Sequence, residues 1–225
     1  MNGSQRTPEQ IPFALEARSA HGREDFWVSD CNRDAVAWLD KYPDWPGCAL
    51  VIHGSPASGK THLLQVWKKE KQAAERAVAD LDLAAVGGMT AAAVMLDDVL
   101  PAIGDRAKEE ALLHLYNMLR ERGGGLLLTA QKPVAEWPFV LPDLKSRLMA
   151  APSAALGSPD DALMAIVLAK LFSDRQIFVP QAVIDFILPR IERYFAAMRR
   201  IVDEIDRRAL SQKRPVTVPL VRDLL

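Results

Sequence analysis

Three short runs of continuous apolar residues interrupt an otherwise helical hydrophobic pattern: Cys48–His53, Ala92–Leu96 and Gly125–Thr129. Strands that alternate apolar and polar residues have one face in water, whereas unbroken apolar strands are covered on both faces, as in a parallel sheet. Helical spacing over Asp30–Tyr42 (Ala35, Val36, Trp38, Leu39), from Lys60 onward and over about Lys108–Arg122 places helices before and between the runs. This alternation predicts βαβ units, and so an α/β fold with a parallel sheet sandwiched by helices. Pro43-Asp44-Trp45-Pro46-Gly47 breaks the first helix. After about Leu156 no comparable strand follows, and Pro159–Phe172, Pro180–Ile191 and Tyr194–Leu210 all carry helical periodicity. The pattern divides the chain into a polar arm over residues 1–25 with a short apolar patch at Ile11–Leu15, an α/β unit over 26–157, and a C-terminal α-helical subdomain over 158–225.

The first apolar run leads into Gly54-Ser55-Pro56-Ala57-Ser58-Gly59-Lys60-Thr61, which fits G-x-x-x-x-G-K-T at every fixed position. Backbone N–H groups of such a loop converge on a polyphosphate, and the helix that follows adds its positive N-terminal end. Lys60 would reach the β and γ phosphates, Thr61 would place its hydroxyl on Mg²⁺, and Ser58 and His62 flank these positions. By chance the pattern would arise on the order of 1% of the time in a chain of this size, and here the strand before it and the helix after it are both expected. These residues imply ATP or ADP as ligand.

Asp97-Asp98 close the second apolar run. A carboxylate at a strand tip can hold Mg²⁺ opposite the hydroxyl of Thr61, the role expected of Asp97, while Asp98 could orient or deprotonate an attacking water; the same pair could also simply cap the next helix. Thr129 and Gln131 end the third run, where a polar side chain either reads the γ-phosphate or satisfies the strand end. Arg147, in Leu144-Lys145-Ser146-Arg147-Leu148, precedes the helical subdomain and by itself reads as a solvated helix face.

Composition adds mostly exclusions. The 225 residues carry a formal net charge of −1, without the basic excess of a strong nucleic-acid binder. The two cysteines, Cys31 and Cys48, have no metal-ligand spacing and suggest a reduced cytoplasmic protein. Met1–Glu9 is polar, unlike a signal peptide, and no apolar run approaches the roughly 18 residues of a membrane span.

Taken together, GSPASGKTHLL, AVMLDDV, LLLTAQKP, LPDLKSRL and a final IERYFAAMRRIVDEIDRRAL resemble the ATPase part of the DnaA family of AAA+ proteins, and within it the short regulatory Hda group. The likeness runs from about Gln10 to Leu225, and the SRL element and the DEIDRRAL ending are its most telling parts. The resemblance implies an AAA+ fold with a helical lid, and a negative regulator of replication initiation that works in its ADP-bound form. It implies that Arg147 is an arginine finger acting on ATP bound to DnaA, and that Val28 and Asn32, with Phe26 and Trp27, cover the adenine. It also implies that Gln10, Ile11, Phe13 and Leu15 bind the β subunit, the sliding clamp of DNA polymerase III. The sequence stops after the lid, leaving no length for a DNA-reading C-terminal domain, so no sequence-specific DNA binding is expected; a homodimer or oligomer is compatible with the AAA+ pattern. One departure stands out: Ala196 occupies the position of the lid's sensor arginine, and Arg199, one turn further on, is the residue placed to substitute. Without that arginine an autonomous ATPase, the rival reading, is disfavoured.

Overall fold

The structure, a computed structural model, describes residues 28–225. Five strands, β1 (Ala49–His53), β2 (Ala74–Arg76), β3 (Ala93–Leu96), β4 (Gly125–Ala130) and β5 (Ser153–Ala155), form one sheet in the order β2-β3-β4-β1-β5 with every pairing parallel. The three apolar runs are the inner strands, and β3 and β4 are buried along their whole length. The edge strands β2 and β5 are only three residues long and largely exposed or half-buried.

Helices cover both faces, as the continuous runs require. Alternate residues Leu50, Ile52, Met95 and Leu127 point to one face, where they pack with α1 (Arg33–Asp40) and α2 (Lys60–Lys71) around the fully buried Trp67. Their neighbours Val51, Val94, Leu96, Leu126 and Leu128 point to the other, onto α3 (Leu83–Gly87), α4 (Arg106–Glu121) and α5 (Pro142–Ala150). A separate apolar core, built around Leu168, Phe172, Ile184, Met198 and Ile205, joins α6 (Asp161–Asp174), α7 (Gln181–Ile187), α8 (Phe195–Gln212) and α9 (Val218–Arg222). No helix among the described residues is long and apolar enough to cross a membrane.

Two boundaries differ from the sequence reading for chemical reasons. The helix expected to start at Pro159 starts at Asp161, because Asp160 caps it by accepting from the Leu163 amide at 2.7 Å. The helix expected to run to Ile191 ends at Ile187 and tightens into a 3₁₀ turn at Leu188–Arg190, since Pro189 has no N–H with which to continue it.

One buried carboxylate ties two helices together. Glu109 of α4 is fully buried and accepts from the amides of Gly104 (2.7 Å), Val140 (3.1 Å) and Leu141 (2.6 Å), the last being the N-cap of α5. Alanine there would leave these N–H groups without an acceptor, at about 1 kcal/mol or more apiece. Glu109→Ala is therefore expected to lower unfolding stability by about 3 kcal/mol in urea denaturation; a loss under about 1 kcal/mol would mean that water satisfies the amides instead.

Candidate functional site

The glycine loop lies between the C-terminal end of β1 and the start of α2. At two positions its backbone tolerates only glycine. A Cβ on Gly54 would come within 2.2 Å of the Leu156 carbonyl oxygen. Gly59 has φ +101°, and a Cβ there would meet the Phe195 ring at 2.8 Å. The Lys60 ammonium bridges the loop, donating to the carbonyls of Gly54 and Ser55 at 2.8 Å each. Burial pulls its pKa below the usual lysine value, with Asp97 and Asp98 opposing that shift.

Three elements converge on Asp97. One carboxylate oxygen accepts from the Thr61 hydroxyl at 2.7 Å, the other from the Thr129 hydroxyl at 2.5 Å. Thr129 is fully buried, and its hydroxyl also accepts from the Asp98 amide at 2.8 Å while its carbonyl accepts from the Val99 amide. Of the two roles the sequence leaves open for Thr129, γ-phosphate contact or strand-end bonding, its hydroxyl here bonds Asp97 and the Asp98 amide and so fixes the acidic pair. Gln131, just beyond the strand, is exposed.

Asp98 takes up φ +49°, uncommon for a residue with a side chain, and one of its carboxylate oxygens is buried without a hydrogen-bond partner among the described residues. The buried Ser58 hydroxyl is unpartnered in the same sense. Unsatisfied polar atoms at a phosphate-type cradle mark a site made to be completed by a polar ligand. The Thr61 hydroxyl and Asp97 carboxylate are hard oxygen donors that suit Mg²⁺, which commonly takes one or two carboxylates and completes its shell with phosphate and water. No group of three or more His, Cys, Asp or Glu side chains able to hold a metal occurs among the described residues.

Beside the loop a narrow crevice is lined by Cys31, Asn32, Gly59, His62, Leu163 and Phe195. Asn32 is buried, and its side-chain oxygen accepts from the Ser29 amide at 2.9 Å. The His62 and Phe195 rings lie 6.3 Å apart. Val28 does not line this crevice; it packs at the margin of the core under α1 and α2. Phe195, Leu163 and Cys31 were not singled out from sequence, and the only hint was an aromatic residue at the first position of α8. Phe26, Trp27, Gln10, Ile11, Phe13 and Leu15 lie outside the described residues.

Just before α8, Arg193 pairs with Asp161 at 2.8 Å, and on α8 Arg200 pairs with Glu192 at 3.6 Å. Arg199 is exposed and has neither an ion pair nor a hydrogen bond among the described residues. It follows Phe195 by four residues and so shares the helix face that carries Phe195 to the loop, and Ala196 beside it is exposed.

Arg147 sits elsewhere. It is exposed on α5 and lines a cleft of about 310 Å³ with Pro46, Gly47, Tyr116, Arg120 and Ser146. Pro46 and Gly47 precede β1, whereas the glycine loop follows it. The path from Gly47 to Gly54 is mostly strand and covers about 20 Å at the usual rise. Arg147 thus lies near the N-terminal end of β1, and the chain's own cradle at its C-terminal end.

The family model of the Hda lid domain matches residues 161–225. Among solved structures, domain III of the Thermotoga maritima replication initiation protein DnaA is similar with a TM-score of 0.74 and 19% identity, over 89% of this chain and 93% of that one. DnaA bound to AMPPCP and single-stranded DNA matches with a TM-score of 0.71 and 18% identity, over 88% and 69% of the two chains. The Thermotoga maritima RuvB Holliday junction branch migration motor matches with a TM-score of 0.61 and 15% identity, over 79% and 60%. The chain spans 66% of the length of a DNA replication initiation factor with a TM-score of 0.71. At these identities the structural likeness is one of fold.

Proposed function

We propose, on the premise that this chain is an AAA+ protein related to Hda and DnaA, that it regulates replication initiation by activating hydrolysis of ATP held by DnaA. The observation that carries the reading is Arg147: an exposed guanidinium with no ion pair among the described residues, about a strand's length from the chain's own cradle. A group so placed serves a neighbour. AAA+ subunits meet through heterologous contacts that bring one subunit's edge to the next subunit's nucleotide. As water attacks the γ-phosphorus of DnaA-bound ATP and the bond to the leaving ADP breaks, charge spreads over the phosphoryl oxygens. Arg147 then stabilises that charge, an effect worth roughly 10³ to 10⁵ in rate when supplied in trans.

The chain's own cradle binds ADP or ATP. Lys60 holds the β and γ phosphates, Gly54, Ser58 and Gly59 line the backbone nest, and Arg199 faces the phosphates from the lid. His62 and Asn32, with Phe195, border the base. Mg²⁺ held by Thr61 and Asp97 would neutralise phosphate charge. Gln10, Ile11, Phe13 and Leu15 dock on the sliding clamp, Gln10 hydrogen-bonding at the mouth of a groove whose pockets take the apolar residues.

The test mixes this protein with ATP-loaded DnaA and clamp-loaded DNA. Hydrolysis is expected to accelerate, and to return towards the basal rate when Gln10→Ala and Phe13→Ala are combined. Acceleration that ignores the double change would remove the clamp from the account. A second reading, an ATPase that turns over its own ATP, draws on the unpartnered Asp98 oxygen beside Asp97; it requires turnover by the protein alone that Lys60→Ala abolishes.

A further inference from the structure

The cleft that holds Arg147 holds a second arginine. Arg120, in the last turn of α4, lines the same cavity with Tyr116 between the two helices, and no Asp or Glu is among the lining residues. Both arginines are exposed, and neither forms an ion pair or hydrogen bond among the described residues. Several other arginines find carboxylates: Arg106 pairs with Glu110, Arg193 with Asp161, and Arg175 with Asp203. Both guanidiniums also act on the Tyr116 phenol, lowering a pKa that burial pushes up, which places the two charges on one group. A cationic pair left without a counter-charge, on a wall otherwise made of Pro46, Gly47, Ser146 and Ala150, calls for an anion with several charges. Two planar forks match the oxygens of a polyphosphate better than one carboxylate.

We propose that Arg120 is a second cation of this site, so that the α4–α5 cleft grips the polyphosphate of a nucleotide held by a neighbouring AAA+ subunit with two guanidiniums. The identity of that neighbour as DnaA rests on the function proposed above, while the anion site itself does not. Arg147 meets the γ-phosphate, and Arg120 takes oxygens further along the same chain of phosphates.

Two measurements separate these levels. With ADP saturating the protein's own cradle, inorganic tripolyphosphate is titrated by calorimetry. Arg120→Ala and Arg147→Ala are each expected to weaken its binding about tenfold, as loss of one charge-assisted contact predicts, with Arg120→Lys in between. Equal binding by wild type and Arg120→Ala would overturn the proposal. In the DnaA assay, Arg120→Ala is expected to cut the maximal hydrolysis rate about tenfold without changing the half-saturating protein concentration. A change in half-saturation alone would make Arg120 a docking contact to protein and overturn its role on phosphate. Should wild type leave DnaA unstimulated while tripolyphosphate binding still depends on Arg120, the functional reading fails and the anion site stands.

Discussion

Arg147→Ala is expected to reduce stimulated hydrolysis of DnaA-bound ATP by a factor of at least about 10³, close to DnaA's basal rate. The side chain is exposed and outside the cores, so the fold and melting temperature should not change. The protein's own affinity for ADP should not change either, because Gly54 through Thr61 follow the far end of β1. Quenched-flow measurement of phosphate release, beside a nucleotide titration of the variant, checks both halves. Lysine at this position should recover little: it keeps the charge but not the planar fork that spans two phosphoryl oxygens. If Arg147→Ala stimulates DnaA as wild type does, the transition-state role is wrong.

Lys60→Ala is expected to do the converse. The Lys60 ammonium is the charge nearest the loop's carbonyls, and its partly buried position, which lowers its pKa, makes its contact with an anion stronger than a surface contact. Two charge-assisted hydrogen bonds to phosphate at about 1.5 kcal/mol each correspond to a loss of about 100-fold in nucleotide affinity. Displacement of a fluorescent ADP analogue measures it, and a loss under about threefold would mean that the loop amides and the helix end do most of the binding. These two variants separate the two ends of β1, Lys60→Ala disabling what the protein holds and Arg147→Ala what it presents.

Much of this was legible in the residues. The unbroken runs at Leu50–Ile52, Val94–Leu96 and Leu126–Leu128 announced strands covered on both faces, and they occupy the middle of the sheet. The strands that escaped notice, Ala74–Arg76 and Ser153–Ala155, are edge strands of small or polar residues that bury too little to leave an apolar signature. The G-x-x-x-x-G-K-T loop and the acidic pair carried their own chemistry. What Thr129 does with its hydroxyl depended on β4 lying beside β3, a neighbour relation that no spacing along the chain expresses. Phe195 is similar: its place against Gly59 follows from the way α8 meets the P-loop, whereas in sequence it is one aromatic residue among several. The separation of Arg147 from the chain's own cradle also comes from the fold, which sets α5 beside Pro46 and Gly47, before β1, while the P-loop follows that strand.

Whose ATP is hydrolysed is the central question. DnaA loaded with γ-labelled ATP and this protein loaded with unlabelled ADP should be combined on clamp-loaded DNA in a single-turnover experiment. The account predicts rapid release of labelled phosphate from DnaA with wild type, and release at the basal rate with Arg147→Ala. Label that stays on DnaA, while the protein given its own ATP releases phosphate equally well with or without DnaA, would contradict action in trans and leave an autonomous ATPase in its place.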